Sequence, residues 1–89
     1  MMTFEEIEAL LKSAIILSLN SVKRIAERCG IKSCTLYKWK TNQQTHLSPA
    51  KADTLLLYFI EEEPLAIIEA LALNYVLPTL YLYLASSTD

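Results

Sequence analysis

Residues 21–40 read SVKRIAERCGIKSCTLYKWK and contain the only glycine of the chain, Gly30. Apolar residues recur at helical spacing on both sides of this glycine, which predicts two short helices, Val22–Cys29 and Ser33–Lys40. A tight turn between them needs one residue in the left-handed conformation, where a Cβ atom costs about 1 kcal/mol or more. The apolar side chains expected to fill the space between the two helices are Val22, Ile25, Ile31, Leu36 and Trp39.

Three more helices are predicted around this pair. The first spans Phe4–Leu17 after a threonine cap, and the fourth begins at Pro49 after a serine cap and ends at about Glu61. The fifth covers Leu65–Leu77, and Pro78 is expected to break or kink it. Residues 79–84 alternate with a period of two, so they form either a short strand or a last turn of helix.

The composition of the whole chain agrees with an all-α fold. With 89 residues the chain forms one domain, and one glycine and three prolines are too few to terminate the many strands of a small β domain. We expect a small five-helix bundle in which residues 1–64 form the core and residues 65–89 add an apolar helix and tail to the same domain. A chain this short rarely encloses a sizeable active-site cleft, so an enzyme is not predicted.

The charged residues are distributed unevenly. The net charge is −2, yet the segment 20–52 carries seven basic residues against Glu27 alone, while the rest carries Lys12 against nine acidic residues. Because charges act mainly within a Debye length, a basic centre between acidic ends favours a local anion-binding face. A solvated charged helix face is the alternative interpretation.

The cysteine and histidine residues indicate no cofactor. Cys29 and Cys34 form neither a zinc motif nor a disulfide framework, and His46 is the one histidine, with no partner recognisable in the sequence. Cys29 belongs to the apolar face, and Cys34 is expected to be exposed. The acidic start of the chain does not resemble a signal peptide, which favours a cytoplasmic protein.

The segment 21–40 resembles the helix-turn-helix of the phage Cro/repressor (XRE-type) family. The positions it shares with that family, at relative spacings of 4, 1, 5 and 3, are Ala26, Gly30, Ile31, Leu36 and Trp39. It is also similar to the modules of insertion-sequence transposases and phage terminase small subunits, where a TLYKWK-like ending is common. The sequence departs from the pattern at Val22, where many members have glutamine, and at Lys32, where a serine or threonine cap is frequent, so Ser33 is expected to supply that cap.

The resemblance implies a sequence-specific transcription regulator that binds double-stranded DNA as a phage or mobile-element repressor does. Its second helix would enter the major groove. The base-reading residues that it implies are Ser33, Cys34 and Lys38, with Tyr37 alongside, and Thr35 is a further DNA-binding candidate. The expected phosphate contacts come from Lys23, Lys32, Lys40 and the amides of Asn42, Gln43 and Gln44. A packaging or recombination subunit and a protein-interaction module such as an anti-repressor are the alternatives.

The C-terminal segment is apolar on nearly all sides. It is long enough to cross a bilayer, but it contains Glu69, Asn74 and Pro78 and lacks basic flanks, so a membrane anchor is not favoured. Since one helix-turn-helix contacts little DNA, we expect a homodimer through this segment. The predicted dimerisation residues are Leu65, Ile68, Leu71, Ala72, Tyr75, Leu80, Leu82 and Leu84. A strand at residues 79–84 would pair with its two-fold mate, as in Cro-type dimers.

Overall fold

The computed structural model describes residues 2–87, and within that range every regular element is helical. The prediction of an all-α, five-helix chain is therefore confirmed. The helices are α1 (Phe4–Leu17), α2 (Val22–Cys29), α3 (Ser33–Lys40), α4 (Pro49–Glu62) and a C-terminal helix (Pro64–Ser86) that comprises α5 (Pro64–Leu71), a π-helical turn (Ala72–Val76) and α6 (Leu77–Ser86).

Three helices begin where a short polar side chain caps the first turn. Thr3 and Glu6 form a capping box, in which each side chain accepts the other residue's backbone N–H at 3.1 Å. Ser21 caps α2, and Ser48 caps α4 directly before Pro49. These local signals explain why the predicted starts of α1, α2 and α4 are confirmed.

The hydrophobic core contains side chains from all five helices and from the loop before α4. Its largest fully buried members are Trp39, Phe59, Leu11, Ile25, Leu36, Leu47 and Leu55. Trp39 has no exposed surface, so the prediction that it is one of the apolar side chains packed between the helices is confirmed. Ala26 is 1% exposed, as expected for a small residue between packed helices.

Glu63 joins the start of the C-terminal helix to the end of α1. Its carboxylate accepts hydrogen bonds from the Ser18 hydroxyl, from the Leu19 backbone N–H at 3.0 Å and from the Tyr58 hydroxyl at 2.8 Å. Burial alone would raise the pKa of Glu63, but these bonds outweigh it and hold the pKa below its ordinary value. Glu62 pairs with Arg28. Glu62 and Glu63 thus tie the junction between α4 and the C-terminal helix to α2 and to the end of α1.

The C-terminal helix does not break at Pro78. Inside an α-helix, proline lacks the N–H for a hydrogen bond and its ring crowds the carbonyl four residues earlier. The π-helical turn that ends at Val76 widens the helix just before Pro78. The N–H of Leu77 donates to the Ala72 carbonyl five residues back. Of the two outcomes expected at Pro78, a break or a kink, the break is therefore wrong. Residues 79–84 are helical, so the strand alternative, and with it the Cro-type strand pairing, is excluded.

Candidate nucleic-acid interface

Helix α3 has one buried face and one exposed face. On the buried face, the side chains of Leu36 and Trp39 are fully enclosed by the core. The opposite face is exposed. It carries two pairs of adjacent residues one helical turn apart, Ser33 with Cys34 and Tyr37 with Lys38. Thr35 lies at the border and is half-buried. The structure thus places the predicted base-reading residues and Tyr37 on one outward stripe, with Thr35 at its edge.

The turn between α2 and α3 is a Schellman motif. Gly30 adopts φ 68° and ψ 28°, and its N–H contacts the Glu27 carbonyl at 3.4 Å, while the Ile31 N–H donates to the Ala26 carbonyl at 3.0 Å. Ile31 is buried, as the apolar residue after such a turn usually is. This geometry ends α2 at Cys29 and sets the angle at which α3 leaves.

The N-terminus of α3 has no side-chain cap. Lys32 is the capping residue, and no side-chain hydrogen bond closes the first turn. The expectation that Ser33 supplies the cap is wrong, because Ser33 already belongs to the helix as its first residue. The first N–H groups of α3 therefore lack a side-chain acceptor, beside the exposed side chain of Lys32.

The loop after α3 is folded back on the end of that helix. The backbone N–H of Asn42 donates to the Trp39 carbonyl at 3.1 Å, and those of Gln43 and Gln44 donate to the Lys38 carbonyl at 2.8 and 3.2 Å. Asn42 has a positive φ of 63°, which reverses the chain here. The backbone N–H groups of these three residues thus have acceptors within the chain.

The side chains of the same loop residues also have partners inside the protein. The Oδ1 atom of Asn42 accepts from Lys12 Nζ at 2.9 Å, so Asn42 is turned toward α1. Gln43 Nε2 donates to the Thr41 hydroxyl at 3.0 Å, and Gln44 Nε2 donates to the His46 carbonyl at 2.9 Å. All three amide side chains, which were predicted to contact phosphates, are thus engaged within the protein.

A buried carboxylate, for which the sequence pattern predicted no role, supports the inner face of α3. Glu8 is 5% exposed and accepts hydrogen bonds from Trp39 Nε1 at 2.9 Å and from the Leu47 N–H at 3.0 Å. His46 Nδ1 lies 2.9 Å from its other oxygen. His46 thus has the partner that was not recognised in the sequence. The sequence did contain a sign that Glu8 is buried: it lies four residues after Phe4 and three before Leu11, inside the apolar stripe of α1.

The hydrogen bonds also determine the charge state of Glu8. Burial raises the pKa of this carboxyl, but the bonds from Leu47, His46 and Trp39 more than offset the effect, so its pKa lies below the ordinary value. Glu8 is therefore ionised near neutral pH. It holds the end of α3 and the following loop against α1.

The lysines around α3 are directed to solvent. Lys23, Lys32 and Lys38 are exposed and Lys40 is half-buried, and none of them forms an ion pair within residues 2–87. Arg28, by contrast, is neutralised by Glu62. The uncompensated positive charge therefore concentrates on α3 and the helix before it.

The two cysteines differ in their surroundings. Cys34 is exposed on the outward stripe of α3, as predicted, whereas Cys29 is partly buried against the core. Burial and the nearby Glu62 carboxylate raise the pKa of the Cys29 thiol to about 11. Cys29 thus behaves as a small apolar side chain.

Comparison with protein-family models, with curated protein sequences and with solved structures gives no match to this chain. The functional assignment therefore rests on the geometry and charge of its own residues.

Proposed function

We propose that this protein binds double-stranded DNA through α3 and acts as a sequence-specific transcription regulator of the Cro/repressor type. Helices α2 and α3 with the turn at Gly30 would form the helix-turn-helix, with α3 in the major groove. The observation that carries the proposal is the outward stripe of α3, where polar and basic side chains are exposed directly above buried Leu36 and Trp39.

The dimensions and charge of this surface suit a DNA groove. A helix with its side chains is about 10–12 Å across, and the major groove is about 12 Å wide. From Arg28 to Ala52 the sequence contains no acidic residue, so no carboxylate on α3 or its following loop would oppose a phosphate. This local charge supports DNA binding although the whole chain has a net charge of −2.

The exposed side chains divide into two functional groups. Lys38 would donate to guanine O6 or N7, Ser33 would pair with a base edge, and Cys34 would make an apolar contact with a thymine methyl group. Tyr37 would lie beside them. These contacts would supply sequence preference.

A second group would bind the DNA backbone. Lys23, Lys32 and Lys40 lie around α3 and would contact phosphates, which position the helix and make the affinity depend on salt. The uncapped N–H groups at the start of α3 lie beside Lys32 and would donate hydrogen bonds to a phosphate, since a helix N-terminus favours negative charge. The amides of Asn42, Gln43 and Gln44 do not belong to this group because they already have hydrogen-bond partners in α1, in α3 and in the loop itself.

The test is selection of bound duplexes from a random-sequence pool at moderate salt, with Lys38→Ala as the comparison protein. We expect the wild type to enrich an inverted repeat whose half-site centres lie about one helical turn apart. Lys38→Ala should lose the preference at one position of each half-site. Retention of DNA without any sequence enrichment would instead favour a packaging or recombination subunit, and no retention even at low salt would favour a protein-interaction module.

A further inference from the structure

The C-terminal helix extends beyond the bundle. It runs antiparallel to α1, because Glu63 contacts Leu19 at one end and the Tyr75 hydroxyl contacts Glu6 Oε2 at the other, at 3.3 Å. Every described residue from Val76 onward is exposed. At 1.5 Å per residue, the segment from Val76 to Ser86 projects about 16 Å past the N-terminal end of α1. We call this segment, residues 76–86, the overhang.

One apolar stripe runs along the outer side of both the packed part and the overhang. Its members, at intervals of three or four residues, are Leu65, Ile68, Ala72, Val76, Leu80 and Tyr83. All are exposed except Ala72, which is half-buried, whereas Ala66, Ile67 and Ala70 face the core. In a regular helix three consecutive steps of four residues would rotate the stripe around the axis. The π-helical turn at Ala72–Val76 holds more residues per turn than an α-helical turn, which reduces this rotation.

The stripe is symmetric about residue 74. If two copies of this helix pair antiparallel with their residues 74 level, Ile68 of one copy faces Leu80 of the other, and Leu65 faces Tyr83. At the centre the small side chain of Ala72 faces Val76, so the two helices can approach closely there. We propose that two copies of this chain form a homodimer by antiparallel pairing of their C-terminal helices in this register.

The distribution of charge supports a second copy in this orientation. Between Ala70 and Thr88 the sequence contains no charged residue, so the overhang offers no charge to recognise a charged partner. Antiparallel pairing places Glu69 level with Thr79 of the other copy and separates the two Glu69 residues by about 15 Å along the axis. That distance exceeds the Debye length at physiological salt. Parallel pairing would put the two Glu69 residues at the same level.

The exposed apolar area is close to what a stable dimer needs. Five stripe residues and Leu84 beside them are 47–70% exposed, and each offers on the order of 100 Å². Together they supply roughly 600 Å², against the ~800 Å² per partner of a standard interface. In the proposed register the overhang of each copy covers Leu65 and Ile68 of the other.

A membrane fits the same helix less well. Pro64–Ser86 is long and apolar enough to span a bilayer by length and composition. However, Ala66, Ile67 and Ala70 belong to the core, and the overhang alone, at about 16 Å, is half the ~30 Å of a hydrocarbon layer. The half-buried Asn74 also bonds to Ser13 of α1 at 3.0 Å, so a spanning helix would have to leave the bundle.

Cysteine cross-linking tests the register directly. In a Cys29→Ser/Cys34→Ser background, one chain carries Ile68→Cys and a second, differently tagged chain carries Leu80→Cys. Oxidation of the mixture should form the disulfide between the two different chains, whereas each variant alone should remain uncross-linked, since its cysteines would lie about 18 Å apart along the axis. Cross-linking of each variant with itself would overturn the antiparallel register.

The oligomeric state provides an independent test on the full chain. Light scattering at increasing concentration should give a dimer for the wild type and a monomer for Leu80→Glu. Leu82→Glu should remain dimeric: Leu82 is also exposed, but it lies about 200° around the helix from Leu80, so the proposed register leaves it out of the interface although the sequence predicted it there. Both positions make no core contact, so circular dichroism should show unchanged helix content. A monomeric wild type at 100 micromolar, or binding to phosphatidylcholine vesicles that Leu80→Glu abolishes, would overturn the proposal. None of these readouts involves DNA, so they are separate from the test of the proposed function.

Discussion

The indole nitrogen of Trp39 donates a hydrogen bond of 2.9 Å to the buried carboxylate of Glu8, 31 residues earlier in the chain. The same carboxylate accepts from the Leu47 N–H. Through these two bonds α1 holds both the C-terminal end of α3 and the loop that leads into α4. A charged group in the core is thus part of what orients the proposed DNA-reading helix.

Removal of this carboxylate should destabilise the fold. Glu8→Ala leaves the Trp39 and Leu47 N–H groups without an acceptor in the core, and each unsatisfied buried donor costs about 1–3 kcal/mol. We expect the free energy of unfolding to fall by about 3 kcal/mol, measured by urea denaturation with Trp39 fluorescence. The control is Glu5→Ala, which is exposed in the first turn of the same helix and should change stability by about 0.5 kcal/mol or less. Equal effects of the two substitutions would contradict the role assigned to Glu8.

Acid should destabilise the protein through Glu63. Its pKa is lower in the folded state than in the unfolded chain, because hydrogen bonds from Ser18, Tyr58 and Leu19 more than offset burial. The resulting stability is fully present above the unfolded pKa and is lost as the pH falls through the folded pKa. Urea denaturation should therefore show a lower free energy of unfolding at pH 3 than at pH 7. Glu63→Gln should reduce that difference, and an unchanged difference would show that Glu63 does not contribute to it.

Substitution of Gly30 should lower the stability of the protein through backbone strain alone. A Cβ atom at this position would meet no heavy atom within 4 Å, but the residue adopts φ 68°. We expect Gly30→Ala to lower the free energy of unfolding by about 1–2 kcal/mol, and Gly30→Asn to lower it less, because asparagine tolerates the left-handed region better. Thermal unfolding of the two variants side by side checks this order. Equal losses would indicate a steric cause.

Two lysines of α3 should affect DNA binding in different ways. Lys38→Ala should relax preference at one base pair by about 1–3 kcal/mol, whereas Lys40→Ala should weaken binding to all sequences about equally and reduce the salt slope by about one. Lys51→Ala removes the same charge from the start of α4 and should leave base preference unchanged. Titrations against the selected operator and a scrambled duplex at several salt concentrations provide the measurement. If Lys38→Ala and Lys40→Ala behave alike on both duplexes, Lys38 does not read bases.

The two cysteines should react at different rates. Because burial and Glu62 raise the pKa of Cys29 to about 11, little of it is thiolate at pH 8, whereas Cys34 is exposed. Mass spectrometry after iodoacetamide treatment should find one modified cysteine, Cys34, in the native protein and two in denaturant. Saturating operator DNA should protect Cys34, since it lies on the proposed base-reading stripe. Unchanged modification in the complex would place Cys34 outside the interface.

The helix boundaries were predictable because they depend on near neighbours. The predicted spans of α1, α2 and α3 are all confirmed, and α4 ends at Glu62, one residue beyond its predicted end. Ser21 and Ser48 act on backbone N–H groups three residues away, and Gly30 acts through its own backbone conformation. Such signals do not require knowledge of the tertiary structure.

The C-terminal segment was harder because its pattern is nearly uniform. Leucine and tyrosine alternate after Pro78, which suits a strand, but a strand needs a partner to satisfy its backbone, and a helix satisfies its own. The structure therefore continues the helix and accommodates Pro78 with a π-helical turn. A helical period could not be distinguished where almost every residue is apolar.

By itself, the sequence determined the all-α class, the positions of the first four helices and the exposed stripe of α3, since each follows from spacing and capping within one helical turn. Only the tertiary structure decided that Glu8 is buried beneath Trp39, that the loop amides of Asn42, Gln43 and Gln44 are bonded internally, and that the last helix extends beyond α1. These facts depend on contacts between residues up to 69 positions apart, such as Tyr75 with Glu6. Such contacts follow from how the helices pack, and spacing along the chain does not encode them.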